Sequence, residues 1–211
     1  MISLLASCGG NVQVESVDKS YSTDTIFVDA KIPKLTGLYD KDFQEQINEE
    51  YEEIIDELLE EFSEKAKETG DSSTFSVTTA EYYNQAGFFS AITEIESGTR
   101  DAKRTIRRIG KNIDTTRCCE VPLSALFSDD AYIDMLNERL AGAVANDPQK
   151  YSGLWTQPRL SENQDYYIKE GTLVLYYPPY ELSYYERGFV EIPLSLAEMS
   201  GYLKPEYRNL V

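Results

Sequence analysis

Histidine is absent from all 211 residues. That absence removes Ser-His-Asp and Cys-His catalysis, His-ligated zinc and imidazole acid–base chemistry together. Cysteine is scarce: there are three, none in a CxxC spacing, so no zinc or iron–sulfur site is read from them. Bases are outnumbered, 20 against 37 acids, and the net charge of −17 argues against nucleic acid, whose phosphates need Lys and Arg in excess. An anionic membrane surface or a phosphate-rich wall meets the same repulsion, whereas a basic protein is attracted. No run of about 20 apolar residues is present, so no spanning helix is expected. Neither a metal nor another cofactor is expected, and any chemistry would fall to carboxylates, tyrosines, lysines or a hydroxyl nucleophile.

What is present reads as a folded protein. Hydrophobic content of 41% is globular, and sixteen tyrosines against one tryptophan suggest many strands with amphipathic surfaces. At the amino terminus, Leu5-Ala6-Ser7-Cys8 resembles the lipobox of bacterial lipoproteins, with Cys8 the lipidation site. Only seven residues precede Cys8 and none is basic, so the true start is expected upstream. Residues 9–24 are polar and lack sustained periodicity, as expected of a tether; residues 1–24 are thus read as signal remnant and tether, and 25–211 as one domain.

The domain opens with an alternating strand, Thr25 to Ile32, ended by Pro33. From Asp42 the apolar positions Phe43, Ile47, Tyr51, Ile54, Leu58, Phe62 and Ala66 step by threes and fours, which predicts one long helix closed by Gly70. Between Asp40 and Glu68 stand thirteen acids and three bases, so this helix carries most of the net charge. Ser73–Asn84 and Gly87–Glu96 read as a hairpin, followed by a basic strip, Arg100–Arg117, read as a strand that pairs with the protein's own acidic helix. Cys118-Cys119 are read as packed, reduced thiols, because adjacent cysteines close only a strained ring. A second amphipathic helix is expected over Ser128–Asn146, stopped by Pro148. Trp155 is expected to pack on the core.

In the last third, Asp165–Lys169 and Thr172–Tyr177 flank a Glu170-Gly171 hairpin turn, and after Pro178-Pro179 the chain returns as a strand at Gly188–Pro193. The segment YYIKEGTLVLYYPPYELSYYERGFVEIPLSLAEM resembles the end of the RsiV-like extracytoplasmic domain, found in an anti-sigma factor, ahead of some wall peptidoglycan deacetylases and in many uncharacterised lipoproteins. IPKLTGLYDKDFQEQIN, the EYYNQAGFFSAI hairpin and VPLSALFSDDAYIDMLNERL agree with it in order, so the resemblance runs from about Ile26 to Leu203. It implies an α+β fold, an antiparallel sheet packed by two longer helices and a short C-terminal helix, outside the cytoplasmic membrane. It brings no catalytic residues, and its anti-sigma member binds lysozyme directly. The chain shows neither a spanning segment with a sigma-binding portion nor the His-dependent metal domain of the deacetylases, so neither activity is expected of it.

Two functional classes follow. One is a lipid-anchored, non-catalytic binding module of the cell envelope, on the outer face of the cytoplasmic membrane or another envelope membrane, capturing a basic lysozyme-like protein with Tyr180, Tyr184 and Tyr185 as ligand contacts. The other is a carboxylate-dependent wall-glycan hydrolase using residues such as Glu181, Glu186 and Glu191, which alternate with tyrosines.

Overall fold

The computed structural model describes residues 12–99 and 104–211; Cys8 and residues 100–103 lie outside them. Strands β1 (Gln13–Asp18), β2 (Tyr21–Ser22) and β3 (Ile26–Thr36) precede helix α1 (Lys41–Thr69). Strands β4 (Ser73–Gln85), β5 (Phe88–Thr99), β6 (Thr105–Asp114) and β7 (Cys119–Glu120) follow, then helix α2 (Ala131–Asn146). The chain ends with strands β8 (Tyr166–Lys169), β9 (Thr172–Tyr177) and β10 (Val190–Ser195) and short 3-10 turns. The larger sheet has the order β1-β3-β4-β5-β6-β7, with β2 also on β3; the smaller has the order β10-β9-β8. Two compact units result, one running to Ile109 with Ile113–Cys119 added, the other comprising Gly110–Asn112 and Glu120–Val211.

In the first unit, α1 is the crossover between β3 and β4, which pair in parallel from Ile26 against Ser73 to Ala30 against Val77. Parallel neighbours need such a connection, so the sheet is mixed where an antiparallel one was expected. Asp40 caps the helix by accepting from the N–H groups of Asp42 and Phe43, and Gly70, at φ 69°, closes it with its N–H on the Ala66 carbonyl. Ile47, Tyr51, Ile55, Phe62 and Ala66 are buried; Ile55, rather than Ile54, turns fully inward. They share one core with Val28, Ala30, Phe75 and Val77. Burying Ile47, Ile55 and Phe62 yields about 1.5–3 kcal/mol each, which exceeds like-charge repulsion of about 0.2–0.5 kcal/mol per i,i+4 pair.

Three expectations are corrected in this unit. Residues 13–22 are not free tether: β1 pairs with β3 over its whole length, and Tyr21 and Ser22 pair with Val28 and Phe27. β1 is an edge strand exposed along most of its residues, so it carries no apolar alternation to betray it. Pro33 does not end β3, which continues to Thr36. The β4 pairing stops at Ala30, so Pro33 needs no N–H on that side, and it faces Ser16 in the β1 register. The basic strip does form a strand, but Arg108 pairs with Glu94 at 2.8 Å and Arg104 with Glu96 at 3.4 Å, both on the adjacent β5. Among the described residues the acidic helix is met by Lys19, whose ammonium lies 2.7 Å from Asp56 and 2.9 Å from Glu52; those two carboxylates hold it above the usual lysine range.

Cys118 and Cys119 are free thiols, each half-buried, and burial pushes the Cys119 thiol up. In the second unit, the Asp129 carboxylate accepts from the Ala131 N–H at the start of α2, which buries Met135, Leu136 and Leu140 and packs against β10. The β8–β9–β10 sheet presents one wholly buried face: Tyr166, Ile168, Leu173, Leu175, Tyr177, Val190, Ile192 and Leu194. The expected short C-terminal helix is two 3-10 turns, Ala197–Met199 and Pro205–Leu210. Between them the Lys204 N–H donates to the Leu126 carbonyl and Leu203 bridges Phe127, so the main chain is drawn away from helical bonding.

Candidate functional site

Alternation along the small sheet sets its second face. The register aligns Tyr167 with Val174 and Pro193, Lys169 with Thr172, and Tyr176 with Glu191, so these residues share the side opposite the buried one. Glu170 and Gly171, at φ 44° and 72°, make the two-residue turn that returns β8 into β9. Over this face lies a cleft of about 540 Å³ lined also by Lys150, Tyr151, Glu170, Arg187 and Phe189.

The cleft is polar at its rim, with Val174, Phe189 and Pro193 at its base. Tyr167 donates its hydroxyl proton to the Glu191 carboxylate at 3.2 Å, and Tyr151 donates to the Glu191 carbonyl at 3.3 Å. The Arg187 guanidinium donates to the carbonyls of Lys150 and Ser152, tying that loop down. The Lys150 ammonium sits 5.0 Å from the centroid of the Tyr151 ring. Tyr176 packs tilted against Tyr167 and edge-on to Phe189.

A second feature of this unit is the loop that leaves β9 at Pro178. Tyr180 and Tyr184 are 55% and 69% exposed, and Trp155 is 49% exposed. The Trp155 indole donates to the Glu181 carbonyl at 3.1 Å and meets Tyr184 edge-on at 5.2 Å, while Tyr180 and Tyr185 lie 5.3 Å apart. Trp155 therefore does not pack into the core as expected; hydrogen bonds to this loop hold it at the surface. Tyr180 adopts φ 71°, a strained left-handed conformation for a side chain of its size.

The three candidate carboxylates separate. Of them only Glu191 lines the cleft, where Glu170 is the other acid. Glu186 is exposed in the 3-10 turn Tyr185–Arg187. Glu181, in the loop, is raised by lost hydration and then by the Asp165 charge, and Asp165 is itself raised by desolvation. Tyr177, buried with its hydroxyl on the Arg159 carbonyl at 3.2 Å, is raised by desolvation and by Glu181. Among the described residues no group of three or more His, Cys, Asp or Glu is placed to hold a metal ion. No helix among them is long and apolar enough to cross a membrane.

Of Tyr180, Tyr184 and Tyr185, expected together from the YYPPYELSYY run, the first two are exposed and Tyr185 is half-buried beside Tyr180. Lys150, Glu170, Arg187 and Trp155 were not singled out for a site. Strand alternation through Lys169 and Thr172 marks the face beside Glu170, but nothing local signals the Lys150 and Arg187 loops.

The architecture is that of a mixed α+β protein with a large sheet, a smaller one and two long helices. Residues 124–197 match the family model described as "Protein of unknown function (DUF3298)". The fold is similar to that in the crystal structure of a DUF3298-family member from Bacteroides fragilis NCTC 9343, with a TM-score of 0.69 at 15% identity, covering 94% of this chain and 96% of that one. It is also similar to that of a DUF3298 family protein from Pseudomonas aeruginosa PAO1, with a TM-score of 0.67 at 13% identity, covering 95% and 98%. At such identities the likeness shows the fold alone. No curated protein matches the sequence.

Proposed function

We propose that this protein is a non-catalytic binding module of the bacterial cell envelope, lipid-anchored through Cys8 on the outer face of the cytoplasmic membrane or another envelope membrane, that captures a basic lysozyme-like protein. The observation that carries the reading is the surface formed by Trp155, Tyr180 and Tyr184, three large aromatic side chains each about half exposed or more. Such side chains remain amphipathic at the surface and release most free energy when a partner covers them. Glu181 and Glu186 lie in the same segment, and the whole chain carries −17, so a cationic partner gains at short and long range. The resemblance to the RsiV-like domain supports the same partner class.

The test is affinity for a purified lysozyme. Tyr184→Ala and Trp155→Ala are each expected to weaken it by about tenfold or more, a hot-spot loss of about 1.4 kcal/mol or above. Affinity unchanged by both substitutions, or no complex with the unmodified protein at low salt, would remove the reading. Mass measurement of the membrane-bound protein tests acylation at Cys8 separately.

A further inference from the structure

The cleft over the small sheet shares no residue with the aromatic loop surface, and its chemistry differs. Its volume of about 540 Å³ lies within the range of small-ligand sites. In a chain of net charge −17 it gathers three cations, Lys150, Lys169 and Arg187, around two carboxylates, Glu170 and Glu191. A phosphate-bearing ligand would have to approach both carboxylates. A sugar would look for a ring face on which to stack, yet Tyr151 and Tyr167 are only 6% and 5% exposed, and the Lys150 ammonium stands over the Tyr151 ring. A wholly apolar ligand would strip water from five charged groups without replacing it. The occupant that suits both signs of charge at the rim and the Val174, Phe189 and Pro193 base is a peptide with free termini.

Register sets its length and direction. Thr172, level with Lys169, and Tyr176, level with Glu191, stand four residues apart on β9, a span of about 13 Å. About four residues of extended peptide cover that span. Near Glu191 the cleft is lined by two cations, Lys150 and Arg187, and the Arg187 bonds to the Lys150 and Ser152 carbonyls fix the loop that presents the Lys150 ammonium. At the turn end Glu170 lines the cleft beside Lys169 and is the acid nearest the turn. We propose that the cleft binds a short zwitterionic peptide of about four residues, extended along β9, with its carboxylate toward Lys150 and its ammonium toward Glu170.

The probe is tetra-alanine with free termini, compared with its N-acetylated and C-amidated forms, titrated into the full chain by calorimetry and by amide chemical shifts. Saturable binding is expected, with shifts at β9 and β10. Each cap is expected to weaken binding by about tenfold, as for loss of one charge-assisted contact. Lys150→Gln should erase the preference for a free carboxylate, and Glu170→Gln the preference for a free ammonium. Both side chains are exposed, so unchanged thermal midpoints are expected to show that the fold survives. Absence of saturation up to about 10 mM probe, where even a millimolar site would fill, overturns the proposal. So do equal affinities for capped and free peptide, or tighter competition by a glucuronate disaccharide. Lysozyme capture is read in separate titrations, so either idea can fail alone.

Discussion

A Cβ on Gly87 would stand 2.6 Å from the Thr116 hydroxyl oxygen, and Gly87 adopts φ 79° beside Ala86 at φ 53°. Both central residues of the β4–β5 hairpin are thus left-handed, the turn that Asn-Gly satisfies best. Gly87→Ala is expected to cost about 1–2 kcal/mol from the left-handed backbone alone, read as a lowered midpoint in denaturant. Ala86→Asn should do the reverse, by about 0.5 kcal/mol, because asparagine tolerates that conformation better than alanine. A second residue-scale consequence concerns Asp165 and Glu181, both held above the ordinary carboxylate range. A carboxyl that binds protons more readily folded than unfolded adds stability at pH below its unfolded pKa, and that stability is lost as pH rises through the folded pKa. Asp165→Asn is therefore expected to raise the thermal midpoint at pH 7 relative to the unmodified protein, with the difference shrinking toward pH 4. A difference that grows as the pH falls would contradict the assigned direction.

Helix α1 shows how an element can be stable against its own charge. Glu57 is exposed and stands four residues from both Glu53 and Glu61, so Glu57→Lys turns two repulsive pairs into attractive ones. It is expected to stabilise the protein by about 0.5–1 kcal/mol at low salt, with the gain shrinking at high salt as screening sets in. Urea midpoints at two ionic strengths check both halves. This helix and its closing Gly70 were legible in the sequence, because burial of one stripe imposes a 3.6-residue period that nothing else competes with; the Asp40 cap was not read from it. The same holds for the β4–β5 and β8–β9 hairpins, where glycine marks the turn. Residues 13–18 were not legible, since an edge strand is held by main-chain bonds and needs no apolar alternation. The parallel β3–β4 pairing was hidden because the strands on either side of α1 read alike in either direction. At the candidate surfaces the tyrosine run was visible, whereas the cleft is assembled from segments around residues 150, 170, 187 and 191, a proximity that only the fold creates.

At the scale of the molecule, charge and aromatic surface should govern different steps of partner capture. A net charge of −17 produces a field that steers a cationic protein before any contact forms, and that field fades as the Debye length shortens from about 20 Å at dilute salt to about 4 Å near 0.5 M. Trp155 and Tyr184 act only after contact, by being covered. Raising the salt over that range is therefore expected to slow lysozyme association by about tenfold or more, with far less effect on dissociation. Tyr184→Ala should speed dissociation and leave the salt slope of association intact, while Glu57→Lys, which removes two units of negative charge, should flatten that slope slightly and leave dissociation alone. Stopped-flow measurement of both rates for the three proteins separates the two contributions. An association rate flat in salt would show that the acidic surface serves only solubility, and an unchanged dissociation rate for Tyr184→Ala would move the contact away from the β9–β10 loop.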